Sequence, residues 1–152
     1  MQIINTSNIN EARKQILKLK KETPSQQIII KAQDDEFNRK ILEIKEVDIL
    51  LSSEIHNRKD KLKQRDSGLN EFLCKLAKEN KISIGIDISK INSLSPKEKA
   101  IVLSRIIQNI KLCKRTNTKI ILFPKTLSKQ EILSFFKILK GSPMQAKLNI
   151  YN

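Results

Sequence analysis

The chain has very few aromatic residues and no tryptophan. Its 152 residues include one tyrosine, five phenylalanines and three glycines. The sequence therefore lacks the flat side chains on which proteins stack the bases of single-stranded nucleic acids. It also lacks the glycine-rich phosphate loops of the Walker and dinucleotide-binding types. The core must be aliphatic, and we expect a single domain spanning residues 1–152.

Groups that hold metals or act as nucleophiles are also scarce. His56 is the only histidine, and we expect it in a solvent-exposed loop. Asp34 falls in the first turn of a predicted helix, whereas Asp48 and Asp87 fall on predicted strands, where either could face a barrel mouth. We expect no catalytic residue and no metal ligand in this chain. A Mg²⁺-dependent barrel phosphoesterase or nuclease that uses these aspartates stays open as an alternative.

The two cysteines, Cys74 and Cys113, lack the spacing of a metal or redox motif. They fall in separate helical patterns, which predicts two reduced core residues in a reducing compartment. No apolar run is long enough to span a bilayer, and the N-terminus turns polar at Asn5, so we expect neither a membrane segment nor a signal peptide. These features predict a cytoplasmic protein.

Positive charge is in large excess. Lys and Arg number 30 against 16 acidic residues, which gives a net charge of +14 and a pI near 9.9. Such an excess predicts a polyanionic partner, most simply nucleic acid, ahead of an anionic membrane or a thermophile's lysine bias. The basic residues concentrate in three places: 18–21, 58–65 and 111–119.

Predicted strands and helices alternate along the chain. The predicted strands are 2–4, 28–30, 47–51, 82–88 and 119–123. Capping boxes beginning at Ser95 and Ser128 mark two of the helices between and after them. The tail 144–152 fits either a helical turn or a strand. This order predicts an α/β fold, a parallel sheet with helices packed outside.

The stretch 58–80 combines a basic loop with the start of a helix. We expect Asp66 or Ser67 to cap this helix, and Gly68 to let a ligand approach the backbone. Cationic side chains beside a helix N-terminus suit a phosphate, although a solvated loop before a capped helix explains the pattern as well. The predicted buried face of the helix comprises Leu69, Phe72, Leu73, Leu76 and Ala77.

The helix predicted over 95–117 has a basic face as well as an apolar one. Arg105, Lys111, Lys114 and Arg115 form the polar face, which we expect to be exposed. Its end could join the loop in one nucleic-acid surface. The candidate RNA-binding residues are Arg58, Lys59, Lys61, Lys63, Arg65, Ser67, Gly68, Lys114 and Arg115.

Several blocks of sequence resemble a known family. They are Asn38-Arg39, Val47-Asp48-Ile49-Leu50, Arg58-Lys59-Asp60, Arg65-Asp66-Ser67-Gly68-Leu69-Asn70, Leu73-Cys74-Lys75-Leu76-Ala77 and Gln108-Asn109-Ile110-Lys111-Leu112-Cys113-Lys114. In this order they are similar to archaeal ribonuclease P protein component 3. The resemblance covers about 28–123.

The resemblance implies a TIM-barrel-like fold without the metal cluster of related phosphoesterases. It implies a non-catalytic RNA-binding subunit of a ribonucleoprotein endoribonuclease, a hydrolase that removes the 5′ leader from precursor tRNA. The implied partners are ribonuclease P RNA and the ferredoxin-like component 2, with precursor tRNA bound indirectly. No cofactor is expected on this chain, and Mg²⁺ would serve the RNA-catalysed reaction. A scaffold protein without direct RNA contact is the other alternative.

Length sets this chain apart from the family. Family members are usually longer, and an eight-stranded barrel takes about 200 residues or more. We therefore expect a reduced, incomplete barrel of five or six strands. An open parallel sheet leaves two unpaired edges, and proteins usually cover such edges. We expect self-association as a homodimer, the terminal segment, or component 2 to cover them.

Overall fold

The computed structural model describes residues 2–150, in which strands and helices alternate. All neighbouring strands are parallel, and their order in the sheet is their order in the sequence. The predicted α/β fold is confirmed as consecutive βα units of an incomplete barrel. The elements are β1 (Gln2–Ile4), α1 (Ile9–Glu22), β2 (Ile28–Lys31), α2 (Asp35–Leu42), β3 (Ile49–Leu51), α3 (Glu71–Glu79), β4 (Ser83–Asp87), α4 (Ile88–Asn92), α5 (Pro96–Thr116), β5 (Ile120–Phe123), α6 (Lys129–Ile138) and α7 (Pro143–Ile150).

Two strands are shorter than predicted, and at each shortened end an aspartate side chain bonds to a backbone amide. β3 begins at Ile49 instead of residue 47, and the carboxylate of Asp48 accepts a hydrogen bond of 2.8 Å from the Ile28 amide. β4 ends at Asp87, whose side chain caps the short helix α4 by accepting from the Lys90 amide at 3.2 Å. Both carboxylates are therefore engaged with backbone amides.

The sheet is buried on both faces. The face toward the helices belongs to the main aliphatic core, which includes Ile30, Leu50 and Ile84. The opposite face forms a second buried cluster of side chains from β2, β3 and β5, namely Ile29, Ile49, Leu51, Ile121 and Phe123. Side chains of β3 and β5 meet across β4 because β4 presents Gly85 to this face, where a Cβ would lie 2.8 Å from Ile49 and Leu51 and 3.3 Å from Phe123. The concave side of the partial barrel is therefore a packed core.

Helix α7 covers the edge of the sheet at β5. The side-chain amide of Asn149 donates to the Ile120 carbonyl at 2.8 Å, and its oxygen accepts from the Leu122 amide at 2.8 Å. Asn149 thus satisfies two backbone groups of β5 that would otherwise need a neighbouring strand as their hydrogen-bond partner. The prediction that the terminal segment covers an edge of the sheet is confirmed for the β5 edge. Of the two structures considered for the tail, the helix is the one observed, up to Ile150. Residues 1, 151 and 152 lie outside the described residues.

Cys74 and Cys113 are both buried between α3 and α5, as predicted for core residues. Their Sγ atoms lie 4.0 Å apart, which is well beyond a covalent S–S bond of about 2.05 Å. None of the helices in residues 2–150 is both long enough and apolar enough to cross a membrane.

Candidate nucleic-acid interface

The basic loop, residues 58–66, folds back on itself within the irregular segment between β3 and α3. The Gln64 amide donates to the Lys61 carbonyl at 3.3 Å, which closes a tight turn with Leu62 fully exposed at its tip. Lys59, Lys61 and Lys63 are exposed, and their side chains have no ion-pair or hydrogen-bond partner within residues 2–150. They are the uncommitted positive charges of this loop.

Asp60 holds the two sides of the loop together. Its Oδ2 atom pairs with Arg65 at 2.8 Å, while Oδ1 accepts from the Asp66 amide at 2.9 Å and from Nε of Arg105 at 3.1 Å. Burial opposes ionisation of this carboxyl, but the hydrogen bonds from these three donors outweigh burial and lower its pKa to about 2. Asp60 therefore acts as a permanent anion within the loop.

Asp66 forms an ion pair with Arg58, the first arginine of the loop. Arg58 faces Asp66 with two nitrogen–oxygen distances of 3.1 and 3.2 Å, and its third nitrogen contacts Asp35 at 2.8 Å. Asp60 and Asp66 each orient a neighbouring arginine. Both arginines of the loop are thus held in ion pairs, in contrast to the lysines.

The predicted helix cap is wrong. Asn70 caps α3 by accepting from the Leu73 amide at 2.8 Å, because Asp66 is already bonded to Arg58 and to the Gly68 amide. The helix consequently starts at Glu71. Phe72, predicted on its buried face, is instead 60% exposed, because the buried face runs through Leu73, Cys74 and Ala77.

Ser67 and Gly68 are both buried. Ser67 is 1% exposed, and its hydroxyl donates to the Leu69 carbonyl at 3.4 Å. Gly68 has a φ of +72°, and a Cβ there would lie 2.1 Å from the carbonyl oxygen of Ser53. A glycine is therefore required by the close approach of the chain's own backbone. RNA contact at these two residues stays a prediction.

Arg105 is a residue whose role the sequence did not indicate. It was predicted on the exposed face of α5 but is 4% exposed, so that prediction is wrong. Its guanidinium donates to the carbonyls of Glu54, His56 and Arg58 at 2.8–3.2 Å, in addition to Asp60. The sequence did contain a signal for the burial of Arg105, because this residue lies three positions after the buried Val102 and therefore on the same side of the helix.

Asn109, one turn further along α5, makes a second anchor. Its side-chain amide donates to the Ser53 hydroxyl at 3.3 Å and to the Ser67 carbonyl at 3.2 Å. It thereby ties the beginning and the end of the irregular segment to one helix. Asn109 lies in a block that carried the family resemblance, but its position in the sequence did not reveal this role.

The prediction that His56 is exposed to solvent is wrong. Its side chain is 13% exposed, with Nε2 2.9 Å from the Asp66 carbonyl and Nδ1 accepting from the Arg58 amide at 3.3 Å. These partners require a neutral ring with its proton on Nε2. Burial lowers the pKa of His56, and the positive charges of Arg105 and Arg58 lower it further. The ring is therefore part of the loop's internal bonding.

Lys114 and Arg115 occupy the last turn of α5. Arg115 contacts Glu71, the first residue of α3, at 3.4 Å, which places it beside the end of the segment that carries the loop. Lys114 is exposed. RNA contact by this pair, as by the cations of the loop, stays a prediction.

The aspartates considered as metal ligands are dispersed. Asp34 caps α2, where it accepts from the Phe37 amide at 2.8 Å. Asp48 precedes β3 and Asp87 ends β4, so the two lie toward opposite ends of neighbouring parallel strands. Of these two aspartates, only Asp87 lies at the carboxyl end of the sheet. Within residues 2–150, no three His, Cys, Asp or Glu side chains are grouped as they would be to hold a metal ion.

Glu54, which follows β3, is a buried acid that the sequence did not single out. It is 0% exposed, and neither carboxylate oxygen has a hydrogen-bond partner in the described part of the chain. Burial raises the pKa of this carboxyl to about 7, and the negative charge of Asp87 adds to the rise. Glu54 is thus largely protonated below neutral pH.

Comparison with known proteins shows where similar sequences occur. Ribonuclease P protein component 3 of Methanococcus vannielii is 30% identical over 117 residues, which are 77% of this chain and 47% of that protein. The same component of Methanococcus maripaludis strain C6 is 27% identical over 119 residues, 78% of this chain and 47% of that protein. The resemblance to ribonuclease P protein component 3 is confirmed. The chain spans about half the length of these component 3 relatives, and no family model matches it.

The fold has a counterpart among solved structures. A chain in a cryo-EM structure of archaeal ribonuclease P with mature tRNA matches it with a TM-score of 0.75 and 22% sequence identity. The match covers 97% of this chain and 62% of that chain. This likeness confirms the incomplete TIM-barrel-like fold.

Proposed function

We propose that this chain is a non-catalytic, RNA-binding protein subunit of ribonuclease P. The observation that carries the proposal is the set of unpaired lysines on a loop that is otherwise ordered by ion pairs. Lys59 lies in a block that carried the resemblance to component 3, and Lys61 and Lys63 lie between that block and the next, which begins at Arg65. Such lysines attract phosphate without reading sequence, which suits a subunit that binds a folded RNA by its backbone.

In this proposal the RNA carries out the cleavage and the protein supports it. The chain takes part in an endoribonuclease that removes the 5′ leader of precursor tRNA, and Mg²⁺ serves the RNA's chemistry. Its partners are ribonuclease P RNA and component 2, with precursor tRNA contacted indirectly, in the cytoplasm. Arg58, Arg65, Lys114 and Arg115 extend the phosphate contacts around the three lysines.

The salt dependence of RNA binding tests the interface directly. Lys61→Ala and Lys63→Ala should each weaken binding to ribonuclease P RNA and lower the slope of log affinity against log salt by about 1. Lys14→Ala, an exposed lysine of α1, is the matched control and should leave that slope unchanged. Unchanged slopes in both loop variants would show that the loop does not touch phosphate.

Reconstitution tests the function itself. Precursor-tRNA cleavage by ribonuclease P RNA and its other proteins should be stimulated when this chain is added, and less so by the double variant Lys61→Ala/Lys63→Ala. Stimulation together with weak RNA binding at low salt would favour the scaffold. Cleavage by the purified chain alone, abolished by a chelator, would contradict the proposal in favour of a phosphoesterase.

A further inference from the structure

The segment 52–70 between β3 and α3 is long and irregular. It contains no helix or strand, only the bridge between Lys61 and Gln64. Loops longer than about 12–15 residues without regular structure are usually functional or mobile. This one is nevertheless bonded to α5 at several points, and the strongest of these is the buried Arg105.

Arg105 bonds to alternate residues of the stretch 54–60. The carbonyls of Glu54, His56 and Arg58 and the carboxylate of Asp60 all accept from its guanidinium. The three carbonyls all lie within 3.2 Å of one guanidinium, so the stretch curls around the arginine side chain. One planar, fully charged donor therefore holds the stretch 54–60 against α5.

Asp60 links the stretch that Arg105 binds to the returning side of the loop. The oxygen that accepts from Arg105 also accepts from the Asp66 amide, and the second oxygen pairs with Arg65. The outgoing and returning halves of the loop are thus joined through one carboxylate. The turn that carries Lys61 and Lys63 lies between these two halves.

We propose that Arg105 is a positioning residue for RNA binding, a role that rests on the proposed function. It preorganises the basic loop, so that Lys59, Lys61 and Lys63 occupy fixed places before RNA arrives. Its side chain is 5% exposed and cannot itself reach a phosphate. A preordered loop loses less conformational freedom on binding, so the affinity is higher than that of a mobile loop with the same charges.

Asp60→Asn gives a test in which two explanations predict opposite changes in RNA affinity. If the loop acts only through its net charge, removal of an acid beside the lysines should strengthen RNA binding. If Arg105 acts through Asp60, the variant should weaken binding about tenfold, the change that corresponds to loss of one modest interaction. The carboxylate is 16% exposed, so we expect this variant to fold.

Arg105→Gln tests the anchor itself, with Arg13→Gln, an exposed arginine of α1, as the matched control for loss of one charge. Arg105→Gln should lower the affinity for ribonuclease P RNA about tenfold or more and leave the salt slope unchanged. In the RNA-free protein, hydrogen exchange of the Asp66 amide, followed by NMR, should speed up at least tenfold in both Asp60→Asn and Arg105→Gln. The control should change neither quantity.

The two readouts separate this inference from the proposed function. The exchange measurement needs no RNA, so faster Asp66 exchange supports the anchor even if ribonuclease P RNA proves not to bind. Unchanged exchange in both variants would overturn the inference while leaving the lysine contacts intact. Tighter RNA binding by Asp60→Asn, or a lower salt slope for Arg105→Gln, would overturn it as well.

Discussion

Replacing Glu54 by glutamine should remove a pH dependence from the stability of the folded chain. The carboxyl is fully buried, and neither oxygen has a hydrogen-bond partner among residues 2–150. Burial, with a further contribution from the charge of Asp87, raises its pKa to about 7 in the folded state. In the unfolded chain the same carboxyl should titrate near its ordinary value of about 4.3.

The sign follows from which state holds the proton more tightly. Because the folded pKa is raised, the stabilising effect of the proton is complete below about pH 4.3 and is lost as the pH rises toward 7. A shift of this size corresponds to about 4 kcal/mol in full, since one pKa unit is worth about 1.4 kcal/mol, and about 3 kcal/mol of it is lost between about pH 4.3 and 7. Above pH 7 the contribution stays constant.

Urea unfolding followed by circular dichroism between pH 4 and 8 measures this effect. The difference in unfolding free energy between Glu54→Gln and the unaltered chain should move in favour of the variant by about 3 kcal/mol from the acid to the neutral end. The cost of burying the glutamine amide does not depend on pH, so it shifts this difference by a constant. Other titrating groups are common to both proteins and cancel. A difference that stays flat over this range would refute the argument.

Two further predictions concern single contacts and are measured by the same unfolding experiment. Asn149→Ala should destabilise the chain by about 1–3 kcal/mol, because it leaves two backbone groups at the β5 edge without a partner; a loss below about 0.5 kcal/mol would mean that water replaces these bonds. Gly68→Ala should cost at least about 1 kcal/mol, because the new methyl group meets the Ser53 carbonyl and φ is positive. A neutral Gly68→Ala variant would show that the close approach does not exist in solution.

Local signals predicted the element order well. The capping boxes beginning at Ser95 and Ser128 start helices in the structure where the sequence placed them. These signals work because each cap involves only amides within the next three residues. The β-branched run at 28–30 likewise identifies a strand by its own composition.

Features that depend on distant partners were missed. Local rules favoured Asp66 or Ser67 as the cap of α3, but Asp66 pairs with Arg58 and Asn70 caps the helix instead. Arg105 looks like a surface residue until the segment after β3 folds over it. Asn149 acquires its role only from the edge of β5, which lies 27 residues earlier in the chain. Arg105 and Asn149 both bond to backbone that sequence spacing does not bring near.

The net charge of +14 is compatible with a well-ordered basic loop because the fold uses its acids internally. Glu98 and Glu131 bond to the starts of helices, and Asp60 and Asp66 bond to arginines and amides inside the loop. The planar arginines hold geometry, whereas the flexible lysines stay in solvent. Removal of an acid from this loop would therefore add charge but lose order. If the lysines are the phosphate contacts, binding should be strongly salt-dependent and indifferent to sequence, while its strength should follow the order of the loop and not its charge alone.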